Sequence, residues 1–122
     1  MEIHEKDLVY KIQGAVFEVY RELGAGFLES VYQNALLLEL QNQGLRAEKE
    51  KALNVKYKNN VVGEFRTDII VENRVLLELK AQKELPLTAE AQVINYLKVT
   101  GIKVGLLINF TFPKATIKRI IF

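Results

Sequence analysis

With 122 residues, 49% of them hydrophobic and 26% charged, and a formal net charge of +2, the chain has material for one core and too little for two ordinary domains. It has no Cys, one His (His4, close to the start) and one Ser (Ser30), which excludes disulfides, thiolate or His-rich metal sites and a Ser/His/Asp arrangement. The start, MEIHEKDLVYK, is charged throughout, no apolar run approaches the roughly 20 residues of a membrane helix, and no GxxxxGK[ST] or GxGxxG loop occurs, so the expectation is a single cytoplasmic domain over 1–122 with no membrane partner.

From Lys6 to Leu23, apolar residues at Leu8, Ile12, Ala15, Val16, Val19 and Leu23 follow helical spacing, and Gly24 and Gly26 supply a stop. A second helix is expected from about Leu28 to Gln43, with Val31, Ala35, Leu38 and neighbouring leucines as its buried side and Gly44 beyond its end. The two helices read as a hairpin. After Gly44 the period becomes two: Leu53, Val55 and Tyr57 alternate with Asn54, Lys56 and Lys58, and KNN reads as a turn. The next strand is expected from about Val61 to Val71, then a turn at Glu72 to Arg74, then a strand from Val75 to about Lys80, all in one meander.

Pro86 stands at a helix entrance and Thr88 caps or begins the helix carrying Ala91, Val93, Ile94 and Leu97, which Gly101 ends. Lys103 to Phe110 contains VGLLI, an apolar run suited to a strand covered on both faces, and Thr116 to Phe122 gives a last alternating segment. The order is ααβββαββ, an α+β fold with a mixed sheet flanked by helices.

The chemistry concentrates in RTDIIVENRVLLELK. Glu78 and Lys80, two apart, point to one face of their strand, and the turn brings Asp68 beside them. Hard cations such as Mg²⁺ prefer carboxylate oxygens and keep several waters, while a neighbouring Lys orients a water or offsets charge on a phosphate. The face of Glu78 and Lys80 also holds Leu76, and that of Asp68 holds Ile70, so neither is a plainly solvated polar surface. A divalent cation accounts for carboxylates there by favouring their ionised forms; a structural Glu78–Lys80 pair is the other account. Gln92 and Tyr96, at i and i+4, share one face of the third helix, either above the strand ends or as its polar edge. Glu29 and Tyr32 lie near the start of the second helix, where a Glu also suits the positive end of the helix dipole.

Taken together, GFLESVY at Gly26 to Tyr32, the Asp68 to Lys80 segment and QVINYLKVTGIKVGLLINF at Gln92 to Phe110 resemble the small GxxExxY proteins of the PD-(D/E)XK nuclease superfamily. Gly26, Glu29 and Tyr32 match the naming motif, and the order Asp, ExK, QxxxY is similar to the RecB-like branch. The resemblance implies a restriction-endonuclease-like core in which Asp68 and Glu78 ligate Mg²⁺ or Mn²⁺, Leu79 lends its carbonyl and Lys80 acts near the attacking water. Glu29 corresponds to an acidic residue on an early helix, also toward the metal, and Gln92 and Tyr96 to the accessory pair. Thr67 departs from the Pro of the superfamily's name.

The function this implies is metal-dependent hydrolysis of DNA or RNA phosphodiesters; the alternative is a non-catalytic nucleic-acid-binding or assembly module on the same fold. Lys98, Lys103, Lys114, Lys118 and Arg119 offer phosphate contacts, and IKRIIF at the C-terminal end offers an edge for a homodimer.

Overall fold

The stripe that begins at Leu8 forms helix α1, Lys6–Leu23, in a computed structural model that describes residues 5–122; His4 lies outside the described residues. Leu8, Val9, Ile12, Ala15, Val16 and Val19 are buried, and α1 ends where Gly24 turns into the left-handed region (φ 68°) and its N–H donates to Tyr20 O at 2.7 Å. Helix α2, Glu29–Asn42, buries Tyr32, Leu36 and Leu40. The expected stripe of Val31 and Leu38 faces outward instead, with Leu38 59% exposed. Its rotation is set at its first turn, where the Tyr32 ring stacks on Phe110 (centroids 4.4 Å apart) and the Tyr32 hydroxyl donates to Gly24 O at 2.6 Å.

Seven strands follow, with one helix among them: β1 Ala47–Lys49, β2 Ala52–Tyr57, β3 Asn60–Arg66, β4 Ile69–Val71, β5 Val75–Lys80, α3 Thr88–Thr100, β6 Val104–Asn109 and β7 Thr116–Ile121. Five of them form the main sheet in the order β1-β4-β5-β6-β7, and β2-β3 forms a separate two-stranded sheet. The sheet is mixed, because β5 and β6 run parallel through the α3 connection while the other pairs are antiparallel. The α+β architecture of a mixed sheet flanked by helices is as expected from the sequence; the strand count differs. The segment expected as one strand, Val61 to Val71, breaks at Thr67 and Asp68 into β3 and β4, which belong to different sheets, and β1 carries no alternation that announces it. Both tight turns of this region, at Lys58–Asn59 and Glu72–Asn73, have paired positive φ values, the geometry that matches strand twist.

Each face of the main sheet has its own cover. Ile69, Val71, Val75, Leu77, Leu79, Val104, Leu106 and Ile108 pack against α1 and α2. Leu76, Leu107 and Ile120 pack against Ala89, Val93 and Leu97 of α3. Gly105 lets α3 approach: a Cβ there would lie 2.6 Å from Val93 Cγ1. β6 is buried from end to end, as its apolar run implies. Strand β7, which holds most of IKRIIF, is the outer strand of the sheet. Among the described residues, no helix is long and apolar enough to cross a membrane.

Candidate active site

Glu78 and Lys80 occupy the α3-side face at the end of β5, and Asp68 stands just ahead of β4. The β4–β5 ladder stops at the pair Ile69↔Leu77, so beyond it Leu79 has no strand partner on that side. The Asp68 carboxylate takes that place: its Oδ2 accepts the Leu79 N–H at 2.7 Å. N–H and C=O of one strand residue face the same edge, so the Leu79 carbonyl faces the Asp68 side too.

Asp68 is fixed from two further directions. Its carbonyl oxygen accepts from Gln33 Nε2 of α2 at 3.0 Å and from the Glu50 N–H, in the link between β1 and β2, at 3.2 Å. Glu29, one turn before Gln33 on α2, stands on the same side of the helix. Its approach is set by the loop before it, where Gly26 has φ 107° and the Tyr32 hydroxyl accepts the Phe27 N–H at 3.2 Å. Glu29 and Tyr32 thus act differently: the first reaches toward Asp68 and the second is a buried post for the loop.

Opposite, on α3, Gln92 Nε2 donates to the Tyr96 hydroxyl at 2.7 Å, and the Tyr96 ring stacks on Phe65 of β3 with centroids 4.1 Å apart. The stack ties the β2-β3 hairpin to the helix beside Glu78.

The electrostatics show how closely these groups gather. Glu78 is 5% exposed, and its carboxyl is pushed up to about 9, chiefly by burial, then by hydrogen bonding and charge from Asp68, with Lys80 opposing and Glu29 adding to it. Glu29 reaches solvent, yet partial desolvation and then the Asp68 charge raise its carboxyl, with Lys80 opposing. The Tyr96 phenol is raised by burial and by the charges of Glu78 and Asp68, with the Gln92 hydrogen bond opposing. Glu29, Asp68, Glu78, Lys80 and Tyr96 thus lie within reach of one another's charge, and Gln92 joins them through its hydrogen bond to Tyr96. Among the described residues, no three His, Cys, Asp or Glu side chains lie close enough together to hold a metal ion, so the carboxylates in contact are the pair Asp68 and Glu78. Two carboxylates and a carbonyl suit Mg²⁺ or Mn²⁺, which keep waters and complete their shell with substrate phosphate.

Thr67 is fully buried; its N–H donates to Lys51 O at 3.2 Å and its Oγ1 has no hydrogen-bond partner. A Pro at this position would lack the amide that Lys51 uses.

The sequence profile of the PD-(D/E)XK nuclease superfamily matches residues 6–120. The chain belongs to the PD-(D/E)XK nuclease superfamily. Among solved structures it is similar to a chain described as "Crystal structure of SSO0001", with a TM-score of 0.59 and 22% identity over 76% of this chain. This chain spans half the length of that protein, and the likeness is one of fold. No curated protein matches the chain. The fold is restriction-endonuclease-like, and in this chain Asp68 and Glu78 lie where β4 and β5 part.

Three contributors to the site carry no signal in the sequence. Gln33 and Phe65 are polar and aromatic residues on amphipathic elements like many others. Asn109, 4% exposed, pairs with the Gln82 backbone in both directions (3.0 and 2.8 Å) and holds the chain where it leaves β5. Three of the five basic residues expected to grip phosphate have other surroundings. Lys103 precedes β6 at the end of the sheet away from Lys80, Lys118 is paired with Glu90, and Lys98 lies over the Phe122 ring.

Proposed function

We propose that the chain is a metal-dependent nuclease of the GxxExxY kind that hydrolyses phosphodiester bonds of DNA or RNA. The observation that carries this reading is the contact between the buried Glu78 carboxyl and Asp68. Two carboxylates this close repel each other and favour a shared proton, and a divalent cation relieves the same repulsion while adding chemistry. Asp68, Glu78 and the Leu79 carbonyl would hold Mg²⁺ or Mn²⁺, with Glu29 facing it from α2. When bound, the cation supplies polarisation of a phosphoryl oxygen and a water of lowered pKa.

The remaining work falls to the chain's own residues. Lys80, on the face of Glu78 and within its field, orients the attacking water and offsets charge gathering on the phosphate. Gln92 and Phe65 fix the Tyr96 hydroxyl beside the carboxylates, so that it steadies Glu78 without titrating at neutral pH. Gly26 and Tyr32, in the GxxExxY pattern, set the loop that delivers Glu29.

The deciding experiment is cleavage of labelled DNA and RNA, single- and double-stranded, with Mn²⁺, Mg²⁺ or EDTA. Cleavage requires either metal, and Lys80→Ala lowers it about 10²-fold or more while melting like the wild type. Turnover that persists in EDTA, or in a folded Lys80→Ala protein at the wild-type rate, removes the assignment.

A further inference from the structure

Past Lys80 the chain enters a cleft of about 360 Å³ that neither the carboxylates nor the accessory pair use. It is lined by Ala25 to Phe27 from the loop ahead of Glu29, by Ala81 to Lys83 directly after Lys80, and by Phe110 to Phe112 beyond β6. Phe110 is buried and stacked flat on Tyr32, and Phe27 meets the edge of Tyr32 with centroids 6.2 Å apart. Phe27 and Phe112 nevertheless leave much of their rings in solvent, at 49% and 80% exposed. Among the described residues, the only cation in the lining is Lys83.

Resting on the nuclease reading, we propose that this cleft receives an unpaired base of the strand being cut, and that the substrate is therefore single-stranded nucleic acid or a frayed end. Three observations point to that occupant. The cleft continues the site along the chain: Lys83 lies within about 10 Å of Lys80 even if the chain is fully extended. Its open rings offer flat apolar faces, which stack with any base and cost the protein little side-chain entropy. Lys83 complements a phosphate of the same strand. A base inside a duplex has both faces covered by its neighbours and presents none to Phe27 or Phe112, so the cleft selects for strands whose bases are free. DNA and RNA share this chemistry.

The test is fluorescence anisotropy with labelled single-stranded and duplex oligonucleotides of DNA and of RNA, in EDTA so that nothing is cut. Sedimentation of the wild type and Phe112→Ala accompanies it. The wild type binds a single strand more tightly than the duplex; Phe112→Ala weakens single-strand binding about tenfold, leaves duplex binding unchanged, and Phe112→Tyr restores it. Because Phe112 is mostly in solvent, these variants keep the fold, which melting curves verify.

Equal affinity of wild type and Phe112→Ala for single strands, or no binding of single strands, overturns the proposal. So does a wild-type dimer that Phe112→Ala converts to monomer, since the patch is then a contact between copies. The nuclease reading fails separately. If aromatic-dependent binding is found without cleavage in Mn²⁺, the base site stands and catalysis falls; if Phe112→Ala cuts single strands like the wild type, the base site falls and catalysis stands.

Discussion

Asp68 Oδ2 accepts the amide of Leu79 at 2.7 Å where β4 has run out of partners, so one carboxylate both closes the sheet and faces the proposed cation. The two duties separate by substitution. Asp68→Asn keeps an oxygen acceptor for Leu79 and removes the charge, whereas Asp68→Ala leaves that amide unpaired at a cost of about 1–3 kcal/mol. Millimolar Mn²⁺ raises the melting temperature of the wild type and not of Asp68→Asn, while metal-free Asp68→Asn melts at or above the wild type and Asp68→Ala below it. An equal Mn²⁺ shift in Asp68→Asn places the binding elsewhere.

Glu78 makes the metal-free protein sensitive to pH in a direction opposite to most paired carboxylates. Its carboxyl is raised from 4.5 to about 9 by burial and by Asp68, so between those values the folded chain binds a proton that the unfolded chain releases. The stability this group contributes is fully present below about pH 4.5 and lost as pH rises through about 9. Metal-free melting temperature therefore falls across that window, and Glu78→Gln flattens the fall. Mn²⁺ displaces the proton, so its stabilising effect grows with pH. A wild-type profile that matches Glu78→Gln contradicts the assignment.

Thr67 carries a buried hydroxyl without a partner beside a backbone amide that has one. Thr67→Val removes the unsatisfied group and raises stability by about 1 kcal/mol, and Thr67→Pro removes the bond to Lys51 and lowers it by about 1 kcal/mol or more. Chemical denaturation of the two variants gives shifts of opposite sign.

Tyr32→Phe keeps the stack on Phe110 and deletes the hydroxyl that bridges Gly24 and Phe27. About 1–3 kcal/mol of stability is lost, and the loop ahead of Glu29 loosens. In a cleaving enzyme the variant loses more activity at a temperature where it is still folded than its stability alone accounts for; activity equal to wild type limits Tyr32 to the core.

Gly105→Ala pushes a methyl toward Val93 Cγ1, 2.6 Å away, where α3 lies on β6. Val93 is buried and has little room to turn, so the variant loses about 1–3 kcal/mol. Pairing it with Val93→Ala recovers part of the loss, and a double variant no better than the sum of its parts disproves the contact.

The strand that carries Glu78 and Lys80 was legible because a period of two fixes which residues share a face, and the turn at Glu72–Asn73 then folds Asp68 back toward it. What periodicity leaves open is the partner. Val61 to Val71 alternates enough for one strand, yet its first part finds β2 and its last part finds β1 and β5, a division decided by pairing, with no Gly or Pro at Thr67 and Asp68 to mark it. In α2 leucines stand on several sides, so apolar spacing alone does not settle which stripe is buried; Tyr32 does, through contacts with Gly24 and Phe110 that are distant in sequence. Gln33 and Asn109 escaped notice for a similar reason: each grips backbone, and a backbone partner has no letter in the sequence.

The separation of β2-β3 from the main sheet gives the molecule two clocks for the exchange of its amide hydrogens. Amides in β5 and β6, covered on both faces, open only with the whole fold. Those of the hairpin sit on a two-stranded ribbon whose outer side is in water, and they exchange on a shorter time set largely by how long Phe65 stays on Tyr96. Because that same ring steadies Tyr96, each opening of the hairpin leaves the phenol beside Glu78 held by Gln92 without its stacked ring, and the slower clock keeps time for the strands while the faster one keeps time for this edge of α3.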